Sequence, residues 1–114
     1  MNTSNYSGTM AATLCPFLEN EEVDEAGLRV YIGELCWVRG LSGLVPNGHT
    51  GEIMSLLPEE RARVTRIVRE VVRESGSTLK VISGVSAEGS REGVLHAQQA
   101  VSYTHLTLPT KRIV

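Results

Sequence analysis

Leu41-Ser42-Gly43-Leu44-Val45-Pro46 runs into Asn47-Gly48-His49-Thr50-Gly51-Glu52, an apolar stretch closed by proline and then a polar loop carrying two glycines. Proline cannot continue a central ladder, so the apolar stretch reads as a short buried strand ending at Pro46. Pro58 then opens the clearest helix of the chain. Its missing N–H costs nothing in a first helical turn, and Glu59 and Glu60 complement the dipole there. Val64, Ile67, Val68, Val71 and Val72 form the apolar stripe of this helix, with Arg61, Arg63, Arg66, Arg69 and Arg73 largely off it. The arginines are expected to be a solvated face paired with Glu59, Glu70 and Glu74, rather than a basic binding patch.

The same rhythm extends in both directions. Upstream, Met10 to Cys15 is a short apolar run stopped by Pro16, which suits a first strand. Asp24 is placed to cap a helix whose stripe is Leu28, Tyr31, Ile32, Leu35 and Cys36, and Gly40 to end it in the left-handed conformation. Downstream, Ser75-Gly76 breaks the second helix. Leu79 to Val85 is a third strand, nearly all apolar as a doubly covered parallel strand should be, and Ser90 can cap a helix carrying Val94, Leu95 and Ala97. Strand and helix alternate three times, so the fold class is α/β with right-handed crossovers onto a parallel sheet. Three such units leave one sheet face and both edges bare, which calls for further units that close a barrel or widen the sheet. Val81 and Val85 are expected on the bare face, so that these units by themselves should be poorly soluble.

Bulk composition narrows the class. The 114 residues suit one modest domain, and a hydrophobic share of 41% is that of an ordinary globular chain. A net charge of −2 gives no reason to expect nucleic acid or an anionic membrane as partner. No apolar run approaches the roughly 20 residues that a membrane span needs. The polar leader, residues 1–8, has neither the basic start nor the apolar core of a signal peptide. Cys15 and Cys36 lack C-x-x-C spacing, and two free thiols in a reducing cytoplasm are the expectation.

In parallel βα proteins, chemistry gathers in the loops after the C-terminal ends of the strands. Three such loops follow from the reading: Pro16 to Leu18, Pro46 to Glu52, and Ser83 to Ser90. The middle loop is the richest. Gly48 and Gly51 allow close approach of the backbone to a ligand, while His49 and Thr50 offer an imidazole, a hydroxyl and two backbone N–H groups. A carboxylate wants convergent donors of that kind, and Glu52 can brace the loop from behind. Two glycines at this spacing also occur in ordinary turns, and a small non-catalytic α/β module that binds a small anion stays open as the alternative. A nucleotide P-loop is a worse reading, because Gly48 to Glu52 lacks the Lys-Ser/Thr pair and the full spacing.

Gly48-His49-Thr50-Gly51-Glu52, following Gly43-Leu44-Val45-Pro46-Asn47, resembles the G-[ST]-T-G-E signature of the dihydrodipicolinate synthase/N-acetylneuraminate lyase family. Ala12-Thr13-Leu14-Cys15-Pro16-Phe17 resembles that family's first strand, Leu57-Pro58-Glu59-Glu60-Arg61 its helix start, and Val81-Ile82-Ser83-Gly84-Val85 its third strand. The resemblance implies that residues 9–100 are the first three βα units of a TIM-type (β/α)8 barrel. It implies a cytoplasmic lyase or class I aldolase in which a lysine forms a Schiff base with pyruvate or another 2-oxo acid, without a metal or other cofactor. A homotetramer or homodimer is the implied assembly. By position, Thr50 would bind the substrate carboxylate, with Gly48, His49 and Gly51 shaping the loop. His49 stands where the family usually has Ser or Thr, and an imidazole there can also relay protons. The change in size ties the expectation to the wider lyase class more than to dipicolinate chemistry itself. Cys15 replaces a threonine of the first strand.

The family's Schiff-base lysine and its partner tyrosine belong to strands beyond the third unit, and no residue here stands for them. Lys80 begins the third strand, at the end opposite the active face, and Tyr31 lies on a helix stripe. The fragment is therefore expected to be inactive alone. Residues 101–114 leave the family register and look like translated sequencing-adapter read-through, the alternative being a strand from Tyr103 to Leu108. His96 is expected to be a surface or interface histidine, Trp37 a core or subunit-contact residue, and Ser83 and Ser86 to lie near the pocket.

Overall fold

The three apolar runs form three parallel strands, β1 (Thr9–Ala12), β2 (Leu41–Val45) and β3 (Lys80–Val81), side by side in chain order. They are seen in a computed structural model that describes residues 7–85, 87 and 89–104. Helices α1 (Glu25–Leu35), α2 (Pro58–Glu74) and α3 (Ser90–Thr104) alternate with the strands, as expected of three βα units. Strand β3 is shorter than the apolar run Leu79 to Val85. The parallel path nevertheless continues, with Ile82 N–H donating to Leu44 O at 2.9 Å and Gly84 N–H to Pro46 O at 2.8 Å. Similarly, Thr13 N–H donates to Val45 O beyond the end of β1.

Pairing of Ala11 with Leu44, and of Leu44 with Val81, puts these three side chains on the face that packs against the helices. Leu44 is fully buried there together with Leu28 and Ile32 of α1 and Val64, Ile67, Val68 and Val72 of α2. Val81 therefore belongs to the helix-covered core, not to the bare face. A strand's side-chain period is two, and the register makes Ile82, 37% exposed, the residue that faces away from the helices. Val85 is exposed, as expected.

Local chemistry explains the helix limits. Asp24 caps α1, its carboxylate accepting from Gly27 N–H at 2.9 Å. The helix ends at Leu35, ahead of Gly40. Gly40 takes its positive φ in the turn that leads into β2 instead. Glu60 does more than face the dipole of α2, because its carboxylate accepts the Leu57 N–H at 2.8 Å. Ser90 is the first residue of α3 itself. The arginines and glutamates pair partly between helices: Arg29 of α1 with Glu70 at 2.6 Å and Glu74 at 3.8 Å, and Arg63 with Glu25 at 3.1 Å. Within α2, Arg66 meets Glu70 at i,i+4. All are surface pairs, worth about 0–1 kcal/mol each.

Trp37 is 84% exposed, which removes it from the core. It follows the C-terminal end of α1, where no described element covers it. Among the described residues no helix is long and apolar enough to cross a membrane. Of residues 101–114, the backbone of 101–104 is described and forms the end of α3, so a strand does not begin at Tyr103; the rest lies outside the described residues.

Candidate functional site

The loop after β2 is pinned at both ends by buried residues and bare at its tip. Pro46 and Asn47 are buried as the chain leaves β2, and Ile53 and Leu56 are buried as it approaches α2 through a short 3₁₀ turn (Ile53–Ser55). Between these anchors His49 and Thr50 are exposed. Apolar side chains thus hold the loop's ends in the core and leave its polar residues in solvent. Asn47 (φ 61°) and Glu52 (φ 55°) both adopt left-handed backbone, so the loop is flanked by two non-glycine residues in a sparsely populated region.

Two tight turns shape the tip. Gly51 N–H donates to Gly48 O at 3.1 Å, Glu52 N–H to His49 O at 3.0 Å, and Ile53 N–H to Gly48 O at 3.3 Å. Among the described residues, no partner takes the N–H groups of His49 and Thr50. Gly51 is buried, and a Cβ there would lie 3.0 Å from Thr13 O and 3.3 Å from Asn47 N. Its lack of a side chain lets the loop lie against the end of β1. Gly48 has open space around it and needs no such allowance. Glu52 is exposed and makes no capping hydrogen bond with its side chain, so it does not brace the loop in the expected way.

The neighbouring loops contribute unequally. Thr13, at the end of β1, is buried, and Cys15 beyond it is 6% exposed. Burial, with Glu52 and then Glu60 adding negative potential, pushes the Cys15 thiol up to about 11. The nucleophilic thiolate is thus scarce near neutrality. Iodoacetamide at pH 8 is therefore expected to spare Cys15 in the native protein and to label it after unfolding, as peptide mass mapping would show. Labelling of native Cys15 at the rate of a free thiol would contradict the burial. Both cysteines are free. Tyr31 is half-buried, and its hydroxyl accepts the Leu14 N–H at 3.1 Å, so it tethers the first loop to α1. Lys80 is exposed at the start of β3, paired with Gly43, at the far end of the strand from the loops.

A polar cluster behind the loop has only a weak sequence signal. Asn47, Thr65 of α2 and Ser83 after β3 meet in the interior, with Gly84 packed against the Asn47 carbonyl. A polar residue on the buried stripe of α2 was the one available hint. Of the two serines expected near the pocket, Ser83 joins this cluster and Ser86 lies outside the described residues. His96 is 7% exposed, which corrects its surface placement. Its Nε2 lies 3.2 Å from Arg61 Nη1 and 3.1 Å from Glu92 Oε1. Packing of α3 on α2 buries it, and Arg61 turns inward from the solvated series to meet it, its Nε also donating to Leu56 O at 3.3 Å. Among the described residues, no three His, Cys, Asp or Glu side chains gather in a group that could hold a metal ion.

Comparison with known proteins agrees with this architecture. Residues 5–105 match the model of the dihydrodipicolinate synthetase family. An uncharacterized DapA-like lyase from Rhizobium meliloti is 37% identical over 91 residues, which make up 80% of this chain and 29% of that protein. The 4-hydroxy-tetrahydrodipicolinate synthase of Acidiphilium cryptum is 36% identical over 97 residues, 85% of this chain and 32% of that protein. The dihydrodipicolinate synthase of Acinetobacter baumannii, crystallised with pyruvate, superposes with a TM-score of 0.74 at 26% identity, over 84% of this chain and 32% of that one. The chain thus spans about a third of the length of the curated relatives it matches.

Proposed function

The chain belongs to the dihydrodipicolinate synthetase family, and from that premise we propose that it is the N-terminal part of a Schiff-base lyase acting on pyruvate or a related 2-oxo acid. The carrying observation is the loop tip: an exposed Thr50, with N–H groups of His49 and Thr50 that no described residue engages, beyond the C-terminal end of β2. A carboxylate spreads its charge over two oxygens, and neighbouring backbone and hydroxyl donors suit it. Held in this way, the acid presents its C2 carbonyl to an amine. Attack by a lysine and loss of water give an iminium, and loss of a C3 proton gives the enamine that adds to an aldehyde. That lysine, and the tyrosine that works with it, come from strands beyond β3, so the three units described hold substrate without turning it over.

His49 takes the place of a hydroxyl residue in the signature, and its exposed imidazole is the group we assign to proton relay. The free thiols fit a reducing cytoplasm, and we expect the complete protein to be a homodimer or homotetramer.

The test uses the complete protein encoded at the locus. Borohydride added with pyruvate should leave one reduced pyruvate covalently attached per subunit, detected by intact mass. Absence of the adduct would remove the Schiff-base mechanism. Thr50→Val should raise KM for pyruvate about tenfold, the effect of losing one hydrogen bond to a charged group. An unchanged KM would take Thr50 out of the carboxylate site.

A further inference from the structure

Asn47 immediately precedes Gly48 at the start of the candidate loop, yet its side chain points away from solvent and is 4% exposed. Its Nδ2 lies 2.9 Å from Thr65 Oγ1, 3.0 Å from Arg61 O and 3.3 Å from Ser83 Oγ. Arg61 O is a backbone carbonyl and only accepts, which requires the amide nitrogen to face α2. Oδ1 is then left buried, with no hydrogen-bond partner among the described residues. Thr65 Oγ1 donates in turn to Arg61 O at 3.2 Å and lies 3.0 Å from Ser83 Oγ, which donates to Gly84 O at 3.2 Å. The exit of β2, the second turn of α2 and the exit of β3 are tied together by one amide.

Packing alone does not call for these side chains, since small apolar residues would fill the same space. A buried polar cluster specifies one arrangement, because any displacement strands its donors away from water. Here the arrangement specified is that of the backbone next to Gly48. Asn47 also carries the left-handed φ of 61°, which aims the chain from β2 into the loop. Asparagine tolerates that conformation better than most side chains.

We propose that Asn47 is a positioning residue for the substrate-carboxylate loop, holding the donors of His49 and Thr50 in place through its ties to α2 and β3. The inference rests on the reading of that loop as the carboxylate holder. Asn47 acts through the loop and does not touch the substrate. Loss of its ties is expected to let the donors wander, weakening binding of the acid more than the bond-making steps that follow.

Asn47→Gly in the complete protein tests this, because glycine adopts the left-handed backbone without strain and lacks the amide, and the variants at Thr65 and Ser83 control for the freedom glycine adds. KM for pyruvate should rise roughly tenfold, about the worth of one lost hydrogen bond, with kcat within about twofold. Amide hydrogen exchange at residues 49–53 should accelerate at least about tenfold, while α1 keeps its protection. Thr65→Val combined with Ser83→Ala should produce part of both changes with the loop sequence intact, since Arg61 O still accepts from the Asn47 amide, and Asn47→Gly added to that pair should have a smaller effect than it has alone. A fall in kcat and melting temperature with KM unchanged would mark Asn47 as merely structural and overturn the proposal. Should the unsubstituted protein fail to trap pyruvate, the carboxylate reading falls by itself. Exchange at 49–53 then still decides the tie: acceleration upholds it, and unchanged rates refute it.

Discussion

Gly84→Ala is expected to destabilise the complete protein by about 3 kcal/mol or more, the upper end of what overpacking a close contact produces. An added Cβ would overlap the carbonyl oxygen of Asn47 and lie 2.7 Å from its carbonyl carbon, with Gly48 N a further 3.2 Å neighbour. All three atoms are backbone, so no flexible side chain can swing aside. The same residue donates its N–H to Pro46 O at 2.8 Å, which fixes the distance between the two strand exits. Relief would have to come from separating β3 from the loop, and that separation also pulls apart Asn47, Thr65 and Ser83. Chemical denaturation gives the stability change. Gly93→Ala is the matched control, since among the described residues its Cβ would meet nothing within 4 Å beyond its own helix backbone, and alanine suits a helix, adding stability by up to about 1 kcal/mol. Equal effects at Gly84 and Gly93 would contradict the close approach.

Ile67→Ala should cost about 3 kcal/mol, within the range for truncating a fully buried aliphatic side chain. Ile67 is fully buried midway along α2 and belongs to the cluster that joins α2 to Leu28 and Ile32 of α1 and to Leu44 and Val81 of the sheet. The cluster is drawn from both helices and the sheet, which limits collapse into the space, so both lost burial and a residual cavity contribute. Val30→Ala, on a residue 64% exposed, should change stability by less than about 0.5 kcal/mol, apart from the better helix propensity of alanine. A similar loss at both positions in denaturant titrations would place the core elsewhere.

Local periodicity made the element order, the Asp24 cap and the stripe of α2 legible, because neighbours in sequence determine each of these. The candidate loop was legible for the same reason: Pro46, Gly48, Gly51 and Pro58 mark its limits within a dozen or so residues. What escaped depends on partners far along the chain. Val81 has an apolar identity that suits either sheet face, and only its register against Leu44 decides between them. His96 is buried by contact with Arg61, 35 residues away, and helix periodicity on α3 alone gives no sign of it. Gly40 is a plausible helix terminator, but α1 closes earlier, with Cys36 N–H donating to Ile32 O, and leaves the glycine to the next turn. Asn47, Thr65 and Ser83 lie 18 and 36 residues apart in sequence, a spacing at which a polar cluster has no one-dimensional signature.

The side-by-side order of β1, β2 and β3 also bears on how the protein is made. Each strand pairs with the one synthesised just before it, so no strand waits for a distant partner to leave the ribosome. The units can dock vectorially, one crossover at a time, with α1 and α2 closing over β2 once Glu74 has emerged. At every stage the newest strand is the growing edge, its outward N–H and C=O groups serving as the template for the strand that comes next. A nascent chain halted after β3 would already carry the loop from Gly48 to Glu52 between two paired strands, before α3 had been made.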